Sequence, residues 1–179
     1  MERLTIEQEL REAFAGVHLG NGVSLRQATA IDRDRNVELD PSERAQFNRL
    51  PEGEVTDDWT QIPEAELEID ALAYLDAEGR RYYLPALLLW LLDHYGERLP
   101  FPRDTLMTQI GAMCSIAPDY DPALRRDRYR EFDDVYSVAQ RRAIASYIAA
   151  MPELVELEDM DAALLDGAMR EYWHRYLVQ

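Results

Sequence analysis

Apolar residues recur along most of the chain at intervals of three and four, the spacing of a helix that buries one face. Ile6, Leu10, Ala13, Phe14 and Val17 form one such stripe and predict a helix from Ile6 to Gly16. Val138, Ile144, Ala145, Ile148 and Met151 predict a second over Val138 to Met151, with Pro152 closing it because proline brings no amide to the preceding turn. Leu165, Met169, Tyr172 and Tyr176 predict a third over Asp161 to Leu177. The pattern Ser/Thr-x-x-Gln stands before three apolar-periodic stretches, in Thr5 with Gln8, Ser24 with Gln27 and Ser137 with Gln140. In each the hydroxyl can accept from a first-turn amide while the glutamine returns to the cap amide, so each marks a helix start. The second starts a helix from Leu25 to about Arg33. Proline at a first-turn position predicts further helices over Pro41 to Leu50, Pro63 to about Ile69 and Pro85 to Tyr95.

Two stretches break this reading. Between Asp104 and Ile116 a helical pattern is interrupted by Gly111, which leaves helix and loop both open. Between Ala71 and Leu84 the segments ALAYL and RRYYL flank Asp76-Ala77-Glu78-Gly79, a turn-forming tetrad, which predicts a short β-hairpin. The expected fold is therefore mainly α (α+β): six to eight helices with one hairpin near residues 71–84. There is no internal repeat and no linker long enough to split the chain, so residues 1–179 are expected to form a single domain.

Composition narrows the function. With 179 residues, 47% of them hydrophobic, there is enough apolar surface for a sizeable core. The formal charge is -16, and all 19 cations are arginine. That balance excludes a general nucleic-acid binder, which needs cations to neutralise phosphates. The absence of lysine excludes Schiff-base and P-loop lysine chemistry. The lone Cys114 has no partner for an intramolecular disulfide, and the start MERLTIEQELREAF has no apolar signal stretch, so a reducing cytoplasm is expected. Cys114 has no His or Arg within three positions to stabilise a thiolate and reads as an inert thiol. The longest apolar run, Leu84 to Leu92, is nine residues against the roughly 20 a membrane helix needs, so it reads as a buried helix.

The charge is divided along the chain. Residues 1–79 hold 19 acids and 7 arginines, residues 80–150 hold 9 and 10, and residues 151–179 hold 7 and 2. From Leu50 to Gly79 ten acids meet no arginine, among them Asp57, Asp58, Glu64, Glu66 and Glu68. Like charges at that density repel, so local order must rest on apolar anchors such as Trp59, Ile62, Leu67 and Leu72. The common fate of such a run is a solvated face; the sharper reading is a docking surface for a basic protein, centred on Asp57, Asp58, Trp59, Glu64, Glu66 and Glu68. Arginines cluster in turn at Arg125, Arg126, Arg128, Arg130, Arg141 and Arg142, a set able to hold an anion through forked contacts. Asp127, Glu131, Asp133 and Asp134 stand beside them and can satisfy the same forks internally.

No spacing points to catalysis or to a metal. His18, His94 and His174 share no ligand motif, and Glu171-x-x-His174 is one pair where a di-iron bundle needs two and two more glutamates. Asp32-x-Asp34-x-Asn36, with Asp40 and Glu43, follows calcium-loop spacing, but Val37 occupies the position that requires glycine. Nucleophile-elbow and dinucleotide-binding signatures are missing, and no cofactor is implied. The aromatic set Trp59, Tyr82, Tyr83, Trp90 and Tyr95 reads as core, with a ligand groove as the alternative.

Four stretches together resemble a family of small bacterial proteins built on one domain of unknown function: SLRQA at Ser24–Ala28, Trp59-x-x-Ile62, ALAYLDAEGRRYYLPA at Ala71–Ala86, and SVAQRRAI at Ser137–Ile144. Asp32 to Glu54 and the tail after Pro152 look particular to this chain. The resemblance implies a cytosolic bacterial protein with a single domain. It brings no activity or ligand, so it assigns no role to Arg26, Gln27, Trp59, Tyr83 or Gln140. Two functions follow as expectations. The first is a non-enzymatic acidic module that binds a basic protein, in the manner of an inhibitor or immunity protein, with neither nucleic acid nor membrane as partner. The second is a small enzyme or ligand-binding domain with a cleft beside Tyr82-Tyr83-Leu84-Pro85 and arginines fixing an anion. No residue is singled out as catalytic, and no oligomeric state is implied.

Overall fold

Two serines start helices as their spacing predicts. The Ser24 hydroxyl accepts from the Gln27 amide at 3.1 Å while the Gln27 side chain accepts from the Ser24 amide at 2.8 Å. Ser137 and Gln140 repeat the reciprocal pair at 3.1 and 3.0 Å. Each box satisfies two amides that a helix start otherwise leaves open. The computed structural model describes residues 3–34, 53–67, 74–96 and 122–177. Among them are seven helices: α1 (Arg3–Ala13), α2 (Leu25–Asp34), α3 (Glu64–Leu67), α4 (Ala77–His94), α5 (Pro122–Val135), α6 (Val138–Leu154) and α7 (Asp159–Glu171). Single 3-10 turns span Trp59–Gln61 and Trp173–Tyr176. The helix expected over Pro41–Leu50 and the stretch Asp104–Ile116, left open between helix and loop, lie outside the described residues, as does Cys114.

The expected hairpin at 71–84 is not formed: no described residue is in a strand, and α4 already begins at Ala77. Asp76 is a helix cap, not a turn corner. Its Oδ1 accepts from the Gly79 amide at 2.8 Å and from the Val23 amide at 3.0 Å, and the Arg80 amide makes the first full helical bond to the Asp76 carbonyl. Gly79 is not one of the positive-φ glycines; a Cβ there would stand 2.3 Å from the Val23 carbonyl oxygen. Glycine is thus needed for close approach, which a turn pattern in sequence imitates. The helix expected from Pro85 starts eight residues earlier and runs through that proline.

Three further boundaries differ from expectation. Thr5 lies inside α1, because the helix starts at Arg3; Gln8 bonds forward to Glu12 at 2.8 Å. Pro152 does not close α6, which runs to Leu154, with the Val155 amide on the Met151 carbonyl at 3.0 Å; a proline ring fits helical φ and costs only one donor so near the end. Val138, expected to face inward, is 52% exposed, since the first residue of the helix lies ahead of its buried stretch. The stretch expected as one helix from Asp161 divides into α7 and the 3-10 turn at Trp173, with Tyr172 between them out of helical geometry.

The chain groups into two compact units, Met1–Ala15 with Leu87–Gln179, and Gly16–Ala86. In the first, α6 packs with α1, α7 and the Trp173–Tyr176 turn. Ala143, Ile144, Ala145, Tyr147, Ile148, Ala150 and Met151 are all buried, as befits a helix covered on most of its circumference. The Tyr147 hydroxyl donates to the Leu88 carbonyl at 2.9 Å, and Arg3 pairs with Asp93. In the second unit, residues 53–58 are fixed without a sheet: the Leu19 amide donates to the Thr56 carbonyl at 2.8 Å, and the hydroxyls of Tyr82 and Tyr83 donate to the Val55 carbonyl and Glu54, each at 3.1 Å. Among the described residues no helix is long and apolar enough to cross a membrane.

Candidate functional site

The acidic segment is anchored as its composition requires. Trp59 is 4% exposed and Leu67 6%, and Ile62 is half-buried; Leu72 lies outside the described residues. The turn carrying Trp59 is capped by Asp58, whose Oδ1 accepts from the Thr60 amide at 3.0 Å and the Thr60 hydroxyl at 2.7 Å. Asp58 is therefore a structural acid. Glu66 pairs with Arg26, within the same unit. Asp57 and Glu64 are exposed, as is Glu78 in the first turn of α4; Glu68 lies outside the described residues. Asp57 and Glu78 make no ion pair among the described residues. The structure thus separates the acids that sequence reasoning had grouped: Asp58 caps a turn and Glu66 pairs with Arg26, Glu64 is exposed, and Asp57 and Glu78 are exposed with no ion pair among the described residues.

Arginines of the second cluster divide in a similar way. Arg141 lies against Asp133 at 2.6 Å, with its side chain only 13% exposed, and its guanidinium stands 5.2 Å from the Tyr176 ring centre. Asp133 also accepts from the hydroxyls of Tyr172 and Tyr176 at 2.7 and 2.8 Å. Partial burial pushes its carboxyl upward, but the two hydroxyls and the guanidinium outweigh this and hold it below the usual range. Burial, then these hydrogen bonds, push the Tyr172 phenol well above its ordinary value, so it stays a donor. Arg130 sits 3.5 Å from Asp127 on the exposed side of α5, and Arg126 is exposed there. The side chains of Arg125 and Arg128 lie outside the described residues.

Tyr82 and Tyr83 are fully buried, and burial, then the nearby acids, keeps both phenols protonated far above neutral pH. Leu84 and Pro85 are buried too, so this junction is core and not a cleft wall. Among the described residues no group of three or more His, Cys, Asp or Glu is placed to hold a metal ion. Asp32 and Asp34 belong to α2, which gives the start of the calcium-like spacing a helical backbone; its remaining positions lie outside the described residues.

A cleft that the sequence did not reveal lies in the Leu87–Gln179 unit. It has a volume of about 830 Å³, within the size range of small-ligand pockets, and is lined by Tyr95, Gly96 and residues 155–160. In sequence, Tyr95 reads as core with a ligand groove as the alternative, and Glu156, Glu158 and Asp159 are three of the seven acids of residues 151–179. The signal available was the alternation Val155-Glu156-Leu157-Glu158, with more acid than one helix cap needs. What sequence cannot supply is the pairing of this stretch with a tyrosine sixty residues earlier.

Compared with known proteins, residues 2–177 match a family described as a family of unknown function, DUF6714. The chain belongs to that family. The DUF6714 match takes in both units, and also the stretch from Asp32 to Glu54 and the tail after Pro152, which had looked particular to this chain. No curated protein and no solved structure matches it. Within this DUF6714 chain, the stretches that carried the resemblance have structural work: two capping boxes, a buried tryptophan, and the cap and close approach at Asp76 and Gly79.

Proposed function

We propose that this DUF6714 protein acts by binding and not by catalysis, presenting the acids of its Gly16–Ala86 unit to a basic protein, as an inhibitor or immunity-type module does. The observation that carries this reading is the exposure of Asp57, Glu64 and Glu78 on backbone held by buried Trp59 and by the Asp76 cap. Charges on a fixed frame steer a complementary surface with little ordering cost on association. The competing reading, an arginine site for an anion beside Tyr82 and Tyr83, loses support because both tyrosines are internal and Arg141 is taken up by Asp133.

The test begins with capture of a partner from the host's own extract and its purification. Its association rate with the chain is then measured from about 50 to 500 mM salt, a range over which screening of exposed charge grows several-fold. The reading requires a basic partner whose association slows at least tenfold across that range, and slows again for the triple variant Asp57→Asn, Glu64→Gln, Glu78→Gln. A rate flat in salt, or one that the triple variant leaves unchanged, overturns it.

A further inference from the structure

The loop from Gly16 to Val23 is tied to two acidic stretches of its own unit. The Leu19 amide donates to the Thr56 carbonyl at 2.8 Å, and beside it the His18 ring meets the Asp57 carbonyl through Nδ1 at 2.7 Å. Further along, the Val23 amide donates to Asp76, and a Cβ on Gly20 would stand 4.0 Å from Glu78 Oε2. A carbonyl only accepts, so Nδ1 carries the proton and the ring takes its next proton at Nε2. His18 is exposed, which keeps that exchange open to water. Residues 53–58 bring the acids Glu54, Asp57 and Asp58 to this side of the unit, and the first turn of α4 brings Glu78. The Tyr82 phenol, one turn further along α4, is kept neutral by burial, then by Asp58 and Asp57.

Residues 12–25 and 50–79 contain no arginine or lysine, and His18 is the one residue in either stretch able to become a cation. The next cations along the chain are Arg26, which pairs with Glu66, and Arg80 and Arg81 in α4, the first of which donates to the Leu75 carbonyl. Histidine is the side chain type that changes charge between about pH 5 and 8. We propose that His18 makes the acidic surface sensitive to pH: a proton taken up at Nε2 puts a positive charge at the backbone of Asp57 and weakens the attraction of Asp57 and Glu78 for a basic protein. The attraction is full while the ring is neutral, at the higher pH, and falls as pH drops and the ring charges. This regulation rests on the docking function proposed above. One unit charge at side-chain distance, partly screened by water and salt, changes association by about three- to tenfold.

Two measurements test this, the first without any partner. Cationic aminomethyl-PROXYL and anionic carboxy-PROXYL, nitroxides of similar size, are added in turn to the full chain, and the ratio of their relaxation enhancements at the hydrogen-bonded Leu19 and Gly22 amides reads the local potential by NMR. Between pH 7.5 and 5.5 the preference for the cationic probe should fall in the wild type and stay level in His18→Gln. In His18→Arg, whose charge is fixed, it should be low at both pH values; amides of α6, in the other unit, are the reference. The second measurement uses the basic partner purified for the salt series. Its association with the wild type should be about three- to tenfold slower at pH 5.5 than at 7.5, while His18→Gln keeps close to the faster rate and His18→Arg to the slower. Melting temperatures check that both variants fold, and if either fails the wild-type potential decides. A potential at Leu19 and Gly22 that pH leaves unchanged, or changes equally in His18→Gln, overturns the proposal and leaves the docking function standing. So does a pH dependence of association that His18→Gln leaves intact. Association flat in salt overturns the docking function, and this regulation with it.

Discussion

A Cβ on Gly79 would come within 2.3 Å of the Val23 carbonyl oxygen, whereas one on Gly167, within α7, meets nothing within 4 Å. The same substitution must therefore act with opposite sign. Gly79→Ala pushes backbone against backbone and should cost about 1–3 kcal/mol, the range of overpacking. Gly167→Ala removes chain entropy from the unfolded state at a helical position and should stabilise by about 0.5–1 kcal/mol. Urea unfolding of both variants checks the pair, and equal signs would contradict the account of Gly79. Asp133 makes a second prediction. Its carboxyl is held below the usual range in the fold, so the unfolded chain takes up its proton first as pH falls. The stability it contributes is full above about pH 4, the ordinary carboxylate value, and is lost as pH drops through the lower folded value. Asp133→Asn should therefore lower stability at neutral pH and flatten the acid limb of the stability curve, read as melting temperature from pH 2 to 7.

At the scale of elements, the fold was legible where a local rule decided it. Ser24 and Ser137 cap the helices their spacing announces, and α6 follows its stripe from Ile144 to Met151. It was illegible where a distant backbone decided. Asp76-Ala77-Glu78-Gly79 has the composition of a turn, yet its aspartate takes the amide of Val23, fifty-three residues away, together with that of Gly79. Thr5 shows the converse: a cap pattern that lies two residues inside a helix whose first residue, Arg3, pairs with Asp93. Caps of the two kinds should differ in cost. Ser137→Ala should lose about 1 kcal/mol, as for a helix start alone. Asp76→Ala also releases the Val23 amide and should lose up to about 2 kcal/mol. Chemical denaturation that ranks them the other way would show that Asp76 serves the helix only.

For the whole molecule, a formal charge of -16 without lysine was plain from composition, but its allocation was not. Asp58 caps a turn, Glu66 meets Arg26, and Asp133 is enclosed by two tyrosines and Arg141; these acids support the fold. Asp57 and Glu78 have no such partner among the described residues. Exposed acids in that state repel one another, and the repulsion is felt over about 30 Å at 10 mM salt but about 10 Å at 100 mM. Salt should therefore stabilise this protein, raising its melting temperature between 10 and 300 mM sodium chloride, on the order of that screening change. Neutralising Asp57 and Glu78 should raise it at low salt and shrink the salt effect, although it removes charge from the proposed docking surface. A scan in which salt lowers the melting temperature would mean that the acids are mostly engaged in attractive pairs. If the variant is more stable yet binds its partner less well, the repulsion is a cost retained for recognition; if it is no more stable, these charges lie too far apart to strain the fold.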